Sequence, residues 1–166
     1  MEQIVNRVAQ SKLVTIDLED FYPPGKRMAI DIKDWLIEGL LLREKDFRES
    51  LKNHPWEQYQ DCYVALYCST DAIIPGWAYL LVTTYLTPVA RKVVVGNLEQ
   101  LETILFTEII QQLDVSPYVG LPLIIKGCSQ NIPQNAYIQL IQKLQPVAKS
   151  LMYGEACSTV PLFKNK

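Results

Sequence analysis

The first readable pattern is an alternation. Leu13-Val14-Thr15-Ile16-Asp17-Leu18 alternates apolar and polar side chains and is β-branched, as a half-buried strand requires. Pro23-Pro24-Gly25 signals a turn. Arg27-Met28-Ala29-Ile30-Asp31-Ile32 reads as a second strand, expected to pair with the first as an N-terminal β-hairpin. Trp35, Leu36, Leu40 and Leu41 then predict a short helix, which Gly39 weakens. Arg43 to Lys52 is a stronger helix, with Phe47 and Leu51 four apart and a charged opposite face. His54-Pro55 stops it.

Further along, the pattern repeats. Aligning Ile74–Gly96 with Ile132–Gly154 without gaps gives nine identities in 23 positions, among them Pro75/Pro133, Ala78/Ala136, Leu86/Leu144 and Gly96/Gly154. Upstream, Cys68-Ser69 matches Cys128-Ser129, and each follows an apolar run. Each copy reads as strand, Cys-Ser loop, helix opened by Pro, then short strand; Pro suits the first helical turn, whose N–H groups have no internal partner. Between the copies, apolar residues at 98, 101, 105, 109 and 113 predict an amphipathic helix. Such alternation implies a mostly parallel sheet with right-handed crossovers. The expected fold is therefore α/β: a mostly parallel sheet with internally duplicated β-α-β units and an N-terminal hairpin and helix subregion.

Charge divides the chain. Residues 1–61 hold 12 acidic and 9 basic side chains, residues 62–166 only 6 and 7. With no Gly/Ser-rich linker between them, the expectation is one domain over 1–166, with a charged subregion 1–61 and a duplicated core 62–166. The formal net charge of −2 gives no electrostatic pull towards nucleic acid or anionic lipid, so neither is an expected partner. Ala72–Ala90 is a run of 19 uncharged residues, near the length of a membrane span. Its Pro and Thr content, and the Gln- and Asn-bearing second copy, make it a buried core helix instead. No secretory leader is legible, so the expected location is the cytoplasm, where thiols stay reduced.

Reduced thiols are the main chemical clue. Cys68, Cys128 and Cys157 are each followed by Ser in a chain with only seven Ser. All three follow predicted strands, which places them at the carboxyl edge of a parallel sheet, where open α/β folds bind ligands. Three convergent thiolates suit zinc or iron–sulfur iron. His54, Asp71, Glu155, water or a partner's group would complete the set, and the single His excludes a multi-His site within one chain. Ser69, Ser129, Ser158 and Lys126 would supply hydrogen bonds and positive charge around the sulfurs. Cys62 starts a strand at the opposite edge and reads as core. Packed free thiols explain the same pattern without a ligand, since Cys is among the most buried residue types.

Other features are blander. His54 before Pro55 reads as a helix terminator more readily than as a base. Asp17, Glu19 and Asp20 read as solvated carboxylates rather than a hard-cation site. Trp35, Trp56 and Trp77 read as core, because no basic stripe accompanies them.

The runs Asp31-Ile-Lys-Asp-Trp-Leu, Leu42-Arg-Glu-Lys-Asp-Phe-Arg-Glu, Cys68-Ser-Thr-Asp-Ala-Ile-Ile-Pro-Gly-Trp-Ala-Tyr, Lys126-Gly-Cys-Ser and Tyr153-Gly-Glu-Ala-Cys-Ser-Thr-Val-Pro-Leu resemble a bacterial family, the domain of unknown function numbered twenty-four eighty. The resemblance spans nearly the whole chain. It implies no activity and carries over no ligand set. Through an association of that family's genes with iron–sulfur cluster assembly, it leans towards a thiol or metal role. Three readings stand at this point. One is a thiol- or metal-handling accessory factor with ligands Cys68, Cys128 and Cys157. Another is a Cys-dependent enzyme with His54 or a carboxylate as base. The third is a non-catalytic scaffold or interaction protein, binding a protein partner or its own copy through an exposed apolar patch.

Overall fold

The computed structural model describes residues 13–127, 129–155 and 157–166. Seven strands and four α-helices are present among them, forming an α/β fold with two sheets. The strands are β1 (Val14–Ile16), β2 (Arg27–Asp31), β3 (Tyr63–Tyr67), β4 (Lys92–Val95), β5 (Pro122–Ile125), β6 (Ser150–Glu155) and β7 (Ser158–Lys164). The helices are α1 (Glu44–Asn53), α2 (Gly76–Leu86), α3 (Leu98–Gln112) and α4 (Gln134–Leu144).

The chain forms two compact units. Unit I is Pro23–Glu102; unit II joins Met1–Tyr22 to Thr103–Lys166. The boundary falls within α3, and it does not coincide with the change in charge density at residue 61.

Unit I is built on an all-parallel sheet of order β2-β3-β4. Its central strand is apolar throughout because both of its faces are covered: Val64, Ala65 and Leu66 are fully buried. Phe47 and Leu51 of α1 and Ala78, Val82 and Leu86 of α2 pack with Val64 and Leu66 in one core. The α2 residues recur every four positions, so one stripe of that helix faces the core. Burying a Leu or Phe this fully is worth roughly 1.5–3 kcal/mol each.

Unit II is built on a mixed sheet of order β1-β5-β6-β7. The first three strands run parallel, and β7 returns antiparallel along β6 with a bulge between Leu151 and Met152. Ala136, Tyr137, Leu140 and Leu144 of α4 pack with Leu123, Ile125 and Leu151 of the sheet and with Phe106 and Ile110 of α3.

Three expectations are corrected. The first concerns the hairpin. β1 pairs in parallel with β5 (Ile16↔Ile125) and β2 in parallel with β3 (Ile30↔Leu66), so the two strands lie in different sheets. The Pro-Pro-Gly segment opens unit I, ahead of β2, instead of closing a turn between paired strands. Second, there are two sheets where one was expected, and β7 adds an antiparallel edge to one of them. Third, the helix around Trp35–Leu41 is absent. A 3-10 turn spans Ile32–Trp35, and Ile37 bridges to Leu41 across Glu38 and Gly39, both at positive φ. Two successive left-handed residues cannot continue a right-handed helix.

Candidate functional site

Cys68 stands just beyond the carboxyl end of β3, half-buried. Its surroundings are set by the end of β2. Asp31 finishes that strand and caps the following 3-10 turn by accepting from the Lys33 N–H at 3.1 Å. The same oxygen accepts from the Ser69 N–H at 3.1 Å, fixing the residue after Cys68. Burial pushes the Asp31 carboxyl up, but the hydrogen bonds from Ser69 and Lys33 together outweigh it and leave the group below its ordinary value. Thr70 donates its hydroxyl proton to the Gly39 carbonyl at 2.7 Å. Its oxygen lies 3.4 Å from Cys68 Sγ. Asp71 is exposed in the loop that follows.

His54 lies at the end of α1, far from a general-base setting in kind. Nε2 is 2.8 Å from Tyr59 Oη, and the ring meets Trp35 and Trp56 edge-on at centroid distances of 5.2 and 4.6 Å. Burial among these rings lowers its pKa and favours neutral imidazole. The histidine is a piece of the core of unit I. Cys62 is buried, as expected from the sequence.

The remaining candidates belong to unit II. Lys126 follows β5, and its Nζ lies 3.1 Å from Asp17 Oδ2. The hydrogen bond to Asp17 and that carboxylate's charge raise the Lys126 pKa, with Glu155 and Glu19 adding to the effect. The ammonium is thus committed to carboxylates. Ser129 donates to Glu19 Oε1 at 2.6 Å. Glu155 and Ser158 face each other across the β6–β7 turn, and Cys157 is exposed within that turn. Cys128 lies outside the described residues.

The premise that one sheet edge gathers the three cysteines does not hold. Cys68 follows a strand of the three-stranded sheet, whereas Cys157 follows β6 of the four-stranded one. Among the described residues no group of three or more His, Cys, Asp or Glu side chains is arranged to hold a metal ion.

Two apolar surface features lie apart from the thiols. In unit I, α2 exposes Trp77 (37%), Leu80 (69%) and Thr84 along one stripe, and Ile73 (91%) is exposed in the loop just before the helix. The stripe carries no charge, and Arg48 lies over the Trp77 ring at 5.8 Å on its flank. In unit II, a groove of about 590 Å³ runs between α4 and the β6–β7 pair, lined by Ile138, Ile141, Tyr153 and Leu162 with Gln134 and Gln142. Sequence reasoning missed the stripe by treating the whole of 72–90 as core. The signal was present in the sequence: Trp77 and Thr84 stand 58 residues before Asn135 and Gln142, two amide side chains that are exposed. No helix among the described residues is long and apolar enough to cross a membrane.

Comparison with known proteins adds the family and nothing about activity. No curated protein and no solved structure matches the chain. A family model described as "Protein of unknown function (DUF2480)" matches residues 2–165, nearly the whole chain, and this protein belongs to that family.

Proposed function

We propose that this protein works by non-covalent association, as an interaction module whose contact face is the exposed stripe of α2. The observation that carries it is the uncharged apolar stripe of Trp77 and Leu80, with Ile73 exposed in the loop just before the helix. Soluble domains rarely leave large contiguous apolar patches open to water, and those that persist mark contact sites. Leu80 sits mid-helix, opposite the buried Ala78–Val82–Leu86 stripe, so packing within unit I does not require it to be apolar. The reading is preferred to thiolate ligation because Lys126 is held by carboxylates and no group of three His, Cys, Asp or Glu side chains among the described residues is arranged for a metal. It is preferred to Cys-dependent catalysis because His54 is engaged with Tyr59 and two Trp rings.

The same reading takes the two units as copies of one ancestral β-β-α-β unit. A shift of 58 residues carries α2 (76–86) onto α4 (134–144) and β4 onto the start of β6. Pro75 and Pro133 cap the two helices with the same extended conformation. A shift of 14 carries the 3-10 turn after β1 onto the one after β2, with Asp17 and Asp31 as matching caps. The parallel strand orders β1-β5-β6 and β2-β3-β4 support the same equivalence.

The test is photo-crosslinking in cells through a photoreactive residue at position 80, with position 49 on the charged face of α1 as control. A discrete adduct from position 80 and none from 49 is expected. Equal labelling from both positions, or none from either, would refute the reading.

A further inference from the structure

We infer that the partner is a second copy of this chain, joined to the first by antiparallel pairing of β4 with β4. This rests on the interaction reading above and names its partner.

β4 is an edge strand of the unit I sheet among the described residues. It reads Lys92-Val-Val-Val, with no Pro, no bulge and a single charge. Edge strands that stay unpaired are normally blunted by such devices, because a flat apolar edge is a template for another strand. Val95 is 57% exposed. The direction of its backbone follows from its neighbour. Gly96 donates its N–H to Leu66 of β3, and successive residues of a strand point their N–H to opposite sides. The Val95 N–H is therefore directed to the open side of β4.

Unit II supplies the template for what lies there. Under the shift of 58 residues, Val95 corresponds to Tyr153 and Leu80 to Ile138. Tyr153 pairs with Val160 of β7, which runs antiparallel along β6. Ile138 shares its groove with Leu162 of the same strand. Unit I has the equivalents of Tyr153 and Ile138 but stops at β4. The missing element is thus an antiparallel strand that sets an apolar side chain beside Leu80.

β4 of a second copy meets both requirements. In a two-fold pairing centred on Val94, Val93 lies opposite Val95 of the second copy and Lys92 opposite its Gly96, so like charges do not meet across the pair. Val93 packs with the core under α2, and Val95 points to the same face by the period of two. The second copy therefore presents its own Val95 to the first copy's stripe. A self-complementary contact must tolerate its own charge pattern, and the uncharged run 72–90 does so.

The experiment is sedimentation velocity of the full chain over a concentration series, with Val95→Pro and Leu80→Glu variants. The wild type is expected at twice the chain mass of 19.0 kDa. Val95→Pro removes only an N–H on the open edge, a position where sheets tolerate Pro. It is expected to raise the dimer dissociation constant at least a hundredfold while keeping the far-UV spectrum. If Val95→Pro loses that spectrum, Leu80→Glu decides, since its exposed side chain changes without touching the core. A dimer that survives in the folded variant, or a wild type that is monomeric at every concentration, overturns the inference. A monomeric wild type with a crosslink from position 80 to another protein overturns only the self-pairing. A monomer with no crosslink from position 80 removes the interaction reading as well.

Discussion

Replacing Asp31 by Ala tests how the loop beside Cys68 is held. The carboxylate accepts two backbone N–H groups, from Lys33 and Ser69, each at 3.1 Å, and its side chain is 12% exposed. Loss of an N-terminal cap costs about 0.5–2 kcal/mol. A hydrogen bond to an ionised group contributes roughly 1.5–3 kcal/mol, towards the lower end here because Ser69 is exposed and its N–H regains water. The expected loss for Asp31→Ala is about 2–3 kcal/mol, and about 1 kcal/mol for Asp31→Asn, which keeps an acceptor without the charge. The pH dependence follows from the depressed carboxyl. Its ordinary value is 3.8. A group that is more acidic in the folded state stabilises fully above that value, and the contribution fades as pH falls through the lower folded value. Urea denaturation followed by circular dichroism at pH 7 and at steps below 3.8 measures both effects. A loss under about 0.5 kcal/mol at pH 7, or a gap between wild type and Asp31→Ala that stays constant on acidification, refutes the assignment of Asp31 as the anchor of this loop.

Two further predictions address the histidine and the hairpin. His54 has its pKa lowered by burial from 6.5, so the unfolded chain takes up its proton first. Stability is then full above 6.5 and falls as pH drops below it. Thermal melts between pH 7.5 and 5 should show this slope in the wild type and a flatter one in His54→Gln; equal slopes would place the titration elsewhere. At Gly154, φ is +124° and an added Cβ would lie 2.5 Å from the Ser158 carbonyl oxygen. Gly154→Ala is expected to cost more than about 2 kcal/mol, combining strain and a backbone clash. Gly120→Ala, at φ +71° with no atom within 4 Å of the added Cβ, should cost about 1 kcal/mol. Equal costs by denaturant titration would refute the close approach of β6 and β7.

What was legible in the sequence was local or repeated. The helix from Leu98 to Leu113 was set by its apolar period and is found at Leu98–Gln112. The strand Tyr63–Tyr67 was a continuous apolar run, and it is the doubly covered strand β3. Partner choice was not legible. β1 and β2 are both short and half-buried, and a nearby Pro-Pro-Gly turn makes antiparallel pairing the simplest expectation. Which strand each one joins is decided by contacts about 36 and 109 residues away, Arg27↔Tyr63 and Val14↔Leu123, and no local signal encodes those. The hairpin partner β7 was hidden for a related reason: Pro161 argues against a strand, and only its place at an edge with a bulge makes it tolerable.

The candidate site shows the same limit in a sharper form. A Cys-Ser dipeptide repeated three times looks like one constellation when a single sheet is assumed, but Cys68 follows a strand of one sheet and Cys157 a strand of the other. The apolar run 72–90 erred in the opposite direction. Composition cannot distinguish a helix buried all round from one whose second face awaits a partner, because both are uncharged. Comparing positions 58 residues apart, as the proposed repeat aligns them, makes that distinction. Ala78, Val82 and Leu86 have apolar counterparts in Ala136, Leu140 and Leu144, and all six are buried, so burial within a unit fixes these positions. Trp77 and Thr84 have Asn135 and Gln142, and all four are exposed, so burial within a unit does not. On the proposed repeat, the faces of α2 and α4 that carry these positions meet different surroundings. For α4 these are water and the strand β7. For α2 no strand described in unit I takes the place of β7, which is why we propose that its stripe serves a contact between chains.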